Sequence, residues 1–207
     1  MQFKWLEWAQ KIQAVAQKGL LYSKNPYQIE DYKLLRNIAA EIISTHTQIE
    51  QREILDLLIK EIGYPTPKVG VASAVFEDNK ILLVKERSDG LWTLPGGFAE
   101  VGESPGEVAV RETFEESGYE VKPVKLLSVY DNNNSKHGHT PFLQGLYKLV
   151  FQCEIIGGSP TPSIETEEVD FFAENNIPQL SIKRVTPTQI SRIFEHYRNP
   201  DLATDFD

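Results

Sequence analysis

A chain of 207 residues can hold one large domain, or a small domain beside a standard one. Its 41% hydrophobic content supports a packed core, and its formal net charge of −9 argues against broad electrostatic binding to duplex DNA or an anionic membrane. The single cysteine, Cys153, cannot close an internal disulfide, which fits a reducing, cytoplasmic setting.

The N-terminal stretch carries Glu7 and Gln10 within its apolar pattern, so it reads as neither signal peptide nor membrane span. Residues 1–63 read as three helices. Trp5, Trp8, Ile12 and Val15 recur at helical spacing before Gly19, with both tryptophans expected to pack inward. A second helix follows Pro26, with Tyr32, Leu35, Ala39 and Ile42 on one side. Thr47 and Glu50 form a capping-box pattern ahead of Leu55, Leu58 and Ile62. Three short helices are marginal alone, so this domain is expected to dock on the rest of the chain or on a second subunit. Gly63-Tyr-Pro-Thr-Pro67 ends helical order, and residues 64–68 serve as a linker.

Residues 69–200 change character. Val69 to Phe76 and Ile81 to Val84 flank Asp78-Asn79, the pattern of a tight hairpin. Val121 to Tyr130 and Phe142 to Ile155 read as strands around a polar loop, Asp131 to Pro141. Gly157 to Ser163 is turn-rich, Glu168 to Phe172 suggests another strand, and Thr186-Pro187-Thr-Gln189 caps a last helix ending near Tyr197. Residues 201–207 are expected to be a frayed tail. Strands with interleaved helices over this length predict one α/β (α+β) domain.

The stretch Leu94 to Tyr119 carries the chemistry. Ser104, Pro105 and Glu107 start a helix with a capping box, and Gly118 supplies its left-handed stop. Glu112, Glu115 and Glu116 stand at i, i+3 and i+4, so the three carboxylates share a face, with Val110 and Phe114 expected to point towards a core. Like charges at this spacing repel. A run of glutamates is ordinarily a solvated face. A hard divalent cation offsets the repulsion well, because Mg²⁺ takes oxygen ligands and substrate phosphates. The Gly96-Gly97 turn can bring backbone carbonyls to the same ion.

The fixed positions Gly97, Glu103, Arg111, Glu112, Glu115, Glu116 and Gly118 resemble the Nudix box, with Thr113 and Tyr119 standing where aliphatic residues are usual. The resemblance implies the Nudix fold, a mixed sheet sandwiched by helices, preceded here by a small all-helical domain. It also implies a pyrophosphohydrolase that uses Mg²⁺ (or Mn²⁺) on a small-molecule nucleoside diphosphate substrate. By resemblance, Glu116 and Glu112 are the better metal ligands and Glu115 is a ligand that can double as general base; the Gly96 carbonyl of the glycine turn is taken as a further ligand. Arg111 can hold Glu103 or a glutamate of the cluster by a bidentate fork. Residues 8–20, the Lys136-His-Gly-His139 loop and the Glu167-to-Phe172 segment are similar to CDP-choline pyrophosphatases, a group whose members form homodimers. CDP-choline going to CMP and phosphocholine is therefore the expected reaction. ADP-ribose hydrolysis, RNA 3′-end trimming and a non-catalytic nucleotide-sensing module are the alternatives.

Outside the box the signals are weaker. His137 and His139 can act as base or phosphate contact, or be plain loop histidines. Glu165, Glu167 and Glu168 can add a ligand or be an acidic surface loop, with Glu167 taken as a substrate contact. Phe98, Trp92 and Tyr130 can stack on a base or belong to the core, and Phe98 is taken as the substrate contact.

Overall fold

In the computed structural model the residues described are 4–140 and 142–207, with the Ser135 side chain left aside. Pro141 and the first three residues, included above in a loop and a helix, lie outside them. The chain divides into two compact units. One ends at Pro67 and takes in Leu143–Gly145; the other comprises Lys68–Phe142 and Leu146–Asp207.

The first unit holds α1 (Lys4–Tyr22), α2 (Pro26–Thr45) and α3 (Gln51–Lys60). Leu6 and Ala9 of α1 meet Ala39, Ala40 and Ile43 of α2 and Ile54 and Leu58 of α3 in a core of small and branched side chains. Several expectations shift here. Helix α1 runs through Gly19, where a Cβ would stand 2.3 Å from the Tyr32 ring, so glycine admits that ring against the helix. Trp8 is 58% exposed and Val15 is exposed as well, because the inward stripe is offset onto Leu6, Ala9, Gln13 and Ala16. Thr47 does not cap α3. Its hydroxyl donates to the Ile43 carbonyl at the end of α2, and Glu50 is the N-cap without a side-chain hydrogen bond. Ile62 lies past the end of α3 and is exposed.

The second unit is a mixed eight-stranded sheet with a helix on each face. Its strands are β1 (Lys68–Glu77), β2 (Lys80–Glu86), β3 (Trp92–Thr93), β4 (Gly96–Phe98), β5 (Tyr119–Asp131), β6 (Leu146–Gly158), β7 (Thr166–Ala173) and β8 (Asp205–Phe206). The main order is β3-β2-β1-β6-β5-β8, with β4 added to β1 and β7 to β2. Asp78 and Asn79 both take positive φ, 48° and 60°, so the β1–β2 hairpin closes by the two-residue turn that its sequence predicts. Beyond the hairpin, β1 runs parallel to β6 and antiparallel to β4.

Strand β1 is buried on both sides. Val71 and Val75 join Val108 and Ala109 of α4 (Pro105–Ser117), whereas Ala72 and Ala74 join Ile190, Ile193 and Phe194 of α5 (Pro187–Arg198). A strand sandwiched this way is apolar throughout, which is how Val69 to Phe76 reads. Strand β6 starts at Leu146, later than expected, and continues through Gly157 and Gly158, which were assigned to a break.

The tail is not frayed. Residues 205–206 pair with Ser128 and Val129 of β5, and the Arg192 guanidinium grips Asp205 through Nε at 2.6 Å and Nη2 at 2.7 Å. His196 Nε2 meets the same carboxylate at 2.9 Å, and its charged neighbours hold Asp205 well below the usual carboxylate range. No helix among the described residues is long and apolar enough to cross a membrane.

Candidate active site

Helix α4 brings the carboxylates to the sheet, and its ends are built as the sequence predicts. Ser104 and Glu107 cap each other reciprocally, and Gly118 closes the helix at φ 77°. The inward face differs from expectation. Val108, Ala109, Thr113, Glu116 and Ser117 are buried, and Phe114 is exposed. The reason is angular: position 114 is two residues from both 112 and 116, so turning those glutamates inward turns Phe114 out. The two departures from the box pattern are accommodated. Thr113 donates its hydroxyl to the Ala109 carbonyl at 2.7 Å, and Tyr119 sets its ring edge-on to Phe171.

Strand β4 meets that face with two glycines. The Gly96 N–H donates to Glu116 Oε2 at 2.8 Å, and a Cβ on Gly96 would stand 2.2 Å from the Val71 carbonyl. A Cβ on Gly97 would stand 2.3 Å from Glu112 Oε1. At Gly96 glycine lets β4 close on the β1 backbone, and at Gly97 it lets the Glu112 carboxylate come up against the chain.

Arg111 organises the rest. Its Nε and Nη2 fork onto Glu103 at 2.7 and 2.9 Å, Nη1 reaches Glu112 at 2.8 Å and Glu115 at 3.1 Å, and Nη2 also donates to the Phe98 carbonyl. These partners push the guanidinium further up from an already high pKa and lower that of Glu103. Burial raises Glu112, although Arg111 opposes the shift.

Glu116 has no such partner. It is 5% exposed, and among the described residues no lysine or arginine forms an ion pair with it. Burial pushes its pKa up to about 8, with the charges of Glu86, Glu112 and Glu165 adding to the rise. An uncompensated buried carboxylate is costly. As the side chains stand, no three acidic, histidine or cysteine groups among the described residues converge on one ion position. Glu112 and Glu115 are turned towards Arg111 and Glu116 towards the Gly96 N–H. The donor set nonetheless suits a hard divalent cation: oxygen only, surplus negative charge, and a buried member that lacks a counter-charge.

Of the other expected residues, Phe98 is exposed beside the site, with its ring 6.4 Å from Phe142. His137 leans on Tyr130 at a tilt, with ring centroids 4.1 Å apart, and meets Asp207 Oδ1 at 2.7 Å, held by the tail. His139 is only 8% exposed. Its Nδ1 donates to the Ile182 carbonyl at 2.9 Å, and burial lowers its pKa to about 4, so it is a neutral interior ring and not a loop base. Glu167 belongs to β7 and, with Glu168, pairs with Lys85. Glu165, just before β7, is the acidic residue of that segment whose charge bears on Glu112 and Glu116. Glu86, at the end of β2, joins the cluster from a position with no sequence signal.

Comparison with known proteins agrees with this geometry. Residues 66–192 match the NUDIX domain, and residues 3–58 match the family described as "UDP-X-like, N-terminal oligomerisation domain". The chain belongs to the Nudix family. As a Nudix pyrophosphohydrolase it acts on pyrophosphate bonds, and such enzymes generally use a divalent metal. Its relatives include "Putative ADP-ribose pyrophosphatase YjhB" of Bacillus subtilis, 46% identical over 207 residues, with 100% of this chain and 99% of that protein covered. A crystal structure of a UDP-X diphosphatase aligns over 100% of this chain and 99% of its own at 31% identity and a TM-score of 0.63. An ADP-ribose pyrophosphatase from Streptococcus suis covers 69% of this chain and 100% of its own, at 34% identity and a TM-score of 0.62.

Proposed function

We propose that this Nudix enzyme hydrolyses the diphosphate of a nucleoside diphosphate linked to a second group, with Mg²⁺ (or Mn²⁺) held by Glu112, Glu115, Glu116 and the Gly96 carbonyl. The observation that carries the reading is Glu116, a buried carboxylate with other carboxylates around it and no cation paired to it. The divalent ion supplies charge neutralisation at the phosphate oxygens and lowers the pKa of a water. The chain's own residues set the frame. Arg111 holds Glu103, Glu112 and Glu115 in register, and the Gly96 N–H fixes Glu116. Glu115, the most exposed of the three, is proposed to accept the proton of the attacking water.

ADP-ribose is the favoured substrate, because a full-length relative and a structural relative are both named for its hydrolysis. A uridine diphosphate derivative is the second reading, because the match to a UDP-X diphosphatase takes in the helical unit as well. CDP-choline, expected from residues 8–20, is the third compound of the panel. Purified protein with Mg²⁺ is assayed against the three for release of nucleoside monophosphate. Turnover of ADP-ribose at the highest kcat/KM supports the first choice, and failure on every compound overturns the function. The enzyme is proposed to act as a homodimer, supported by the match to an oligomerisation domain and by the exposed Trp8, Val15, Leu34 and Leu57 of the helical unit. A solution mass of 23.5 kDa would rule the dimer out.

A further inference from the structure

Among the described residues, strand β4 pairs with β1 alone, and its other edge carries the acidic centre. Alternate residues of a strand send their N–H and C=O groups to the same edge. Pro95 and Ala99 turn theirs to β1, where the Pro95 carbonyl accepts from the Ser73 N–H and the Ala99 N–H donates to the Val69 carbonyl, both at 2.9 Å. Gly96 and Phe98 therefore face outwards. There the Gly96 N–H meets Glu116 at 2.8 Å, and the Phe98 carbonyl accepts from Arg111 Nη2 at 3.3 Å. Side chains alternate as well, between the two sides of the sheet. Gly97 turns to Glu112, and Phe98, the next residue, turns its ring to the opposite side. A nucleotide lying across this edge can hold its diphosphate at the carboxylates and its base on that other side.

The surface on that side is shaped for a flat ring. Phe98 is 49% exposed although it belongs to the sheet. Directly opposite it in β1 stands Gly70, and directly paired residues of antiparallel strands project to the same side. A glycine inside a strand weakens it, and it often marks a bulge, a bend or the close approach of a ligand. Backbone geometry gives no reason for it here: the registers with β4 and β6 run through Gly70 unbroken, and Gly70 is not among the residues of positive φ. Packing gives none either. Apart from its chain neighbours, a Cβ on Gly70 would meet Leu146 Cδ1 at 3.4 Å and the Gly97 carbonyl at 3.7 Å, both ordinary contacts, and no other described residue within 4 Å. Phe142 sets a second ring beside Phe98, with centroids 6.4 Å apart and a tilt of 41°. Asn133 fixes it: its Oδ1 accepts from the Phe142 N–H and its Nδ2 donates to the Phe142 carbonyl, each at 2.8 Å.

We infer that the nucleobase of the substrate stacks on Phe98 over Gly70, with Phe142 bounding the seat. The inference rests on the diphosphate hydrolysis proposed above and extends it from the bond broken to the base recognised. Stacking uses the flat face that every base has, so this seat gives affinity for a nucleoside without selecting adenine over uracil.

The test compares binding of AMP and UMP, each with Mg²⁺, with binding of ribose 5-phosphate, which keeps the sugar and phosphate and lacks the base. Amide NMR titration of the whole chain reads affinities into the millimolar range. Phe98→Ala is expected to weaken both nucleotides about tenfold or more, with ribose 5-phosphate unchanged and Phe98→Tyr restoring the loss. Gly70→Val, which fills the seat, should do the same, while the melting temperature holds or rises because a good strand former replaces glycine. On the preferred substrate KM should rise far more than kcat falls. Nucleotide affinities unchanged in both variants, or ribose 5-phosphate weakened equally, would overturn the inference, as would a wild type that binds neither nucleotide. If the variants do not fold, the wild type decides: NOEs from the base protons to the Phe98 ring are expected, and bound nucleotide without them overturns the inference. Wild-type turnover with both variants unaffected defeats this inference alone. A wild type inert on the whole panel defeats the proposed function, and the titrations still report on the seat.

Discussion

Helices α4 and α5 open on the same local grammar and meet opposite fates. Ser104-Pro105 with Glu107 and Thr186-Pro187 with Gln189 are both capping boxes with proline at the first turn, and both helices pack on the one sheet. Each also brings ionisable side chains to its buried side. On α5 they are matched: Arg192 and His196 share Asp205, which β8 delivers. On α4 they are not. Arg111 serves Glu103, Glu112 and Glu115, and Glu116 is left with a backbone N–H. A balanced network holds a structure together, and an unbalanced one marks a place where a ligand supplies the missing charge.

The largest expected effect falls on the unbalanced side. Glu116→Gln should lower kcat on the order of 10³-fold with Mg²⁺ present, while the melting temperature holds or rises because a buried charge is gone. A variant that keeps wild-type turnover would place the chemistry elsewhere. The next effect is acid sensitivity. Burial holds His139 near 4 against an ordinary 6.5, so the unfolded chain takes up a proton that the folded chain refuses. This contribution is complete above about pH 6.5 and is lost as pH falls towards 4, by up to about 3 kcal/mol. Urea unfolding at several pH values should show that slope, and His139→Gln should flatten it. On the balanced side, Asp205→Ala strands Arg192 and His196 together. It should cost about 2 kcal/mol, read as a melting temperature lower by about 4–8 °C, with turnover per folded molecule retained.

How much of this was readable in the chain depends on how local the cause is. The Asp78-Asn79 turn, the capping boxes of α4 and α5 and the Gly118 stop are written within a few residues and stand as expected, although the equally local Thr47–Glu50 pattern does not cap α3. The direction of Phe114 was misjudged, because periodicity gives the spacing of an apolar stripe but not which side a strand from elsewhere will cover. Asp205 and Asp207 are polar and terminal, and no local pattern binds them to the rest of the chain. Their partners, Arg192, His196, Asn134 and His137, are brought near only by the finished sheet. His139 shows the same limit: its loop composition is polar, yet the Ile182 carbonyl draws it inside. Within the site, the box glutamates were legible from spacing. Glu86 was not, since it is one residue in a strand and gains meaning from Glu116 and Arg184, far along the chain.

The smallest expected effects put the shared grammar itself to the test. Thr186 is buried and its hydroxyl accepts from the Gln189 N–H, so Thr186→Ala leaves a donor that water cannot reach. Ser104 is exposed, and water can replace its hydroxyl at the Glu107 N–H. The same substitution should therefore cost about 1–2 kcal/mol at α5 and about 0.5 kcal/mol at α4. Equal losses by calorimetric melting would mean that the cap acts through helix propensity alone. Unequal losses in the stated order would mean that burial, not motif, decides what a cap is worth, as it decides which of the two helices carries unmatched charge.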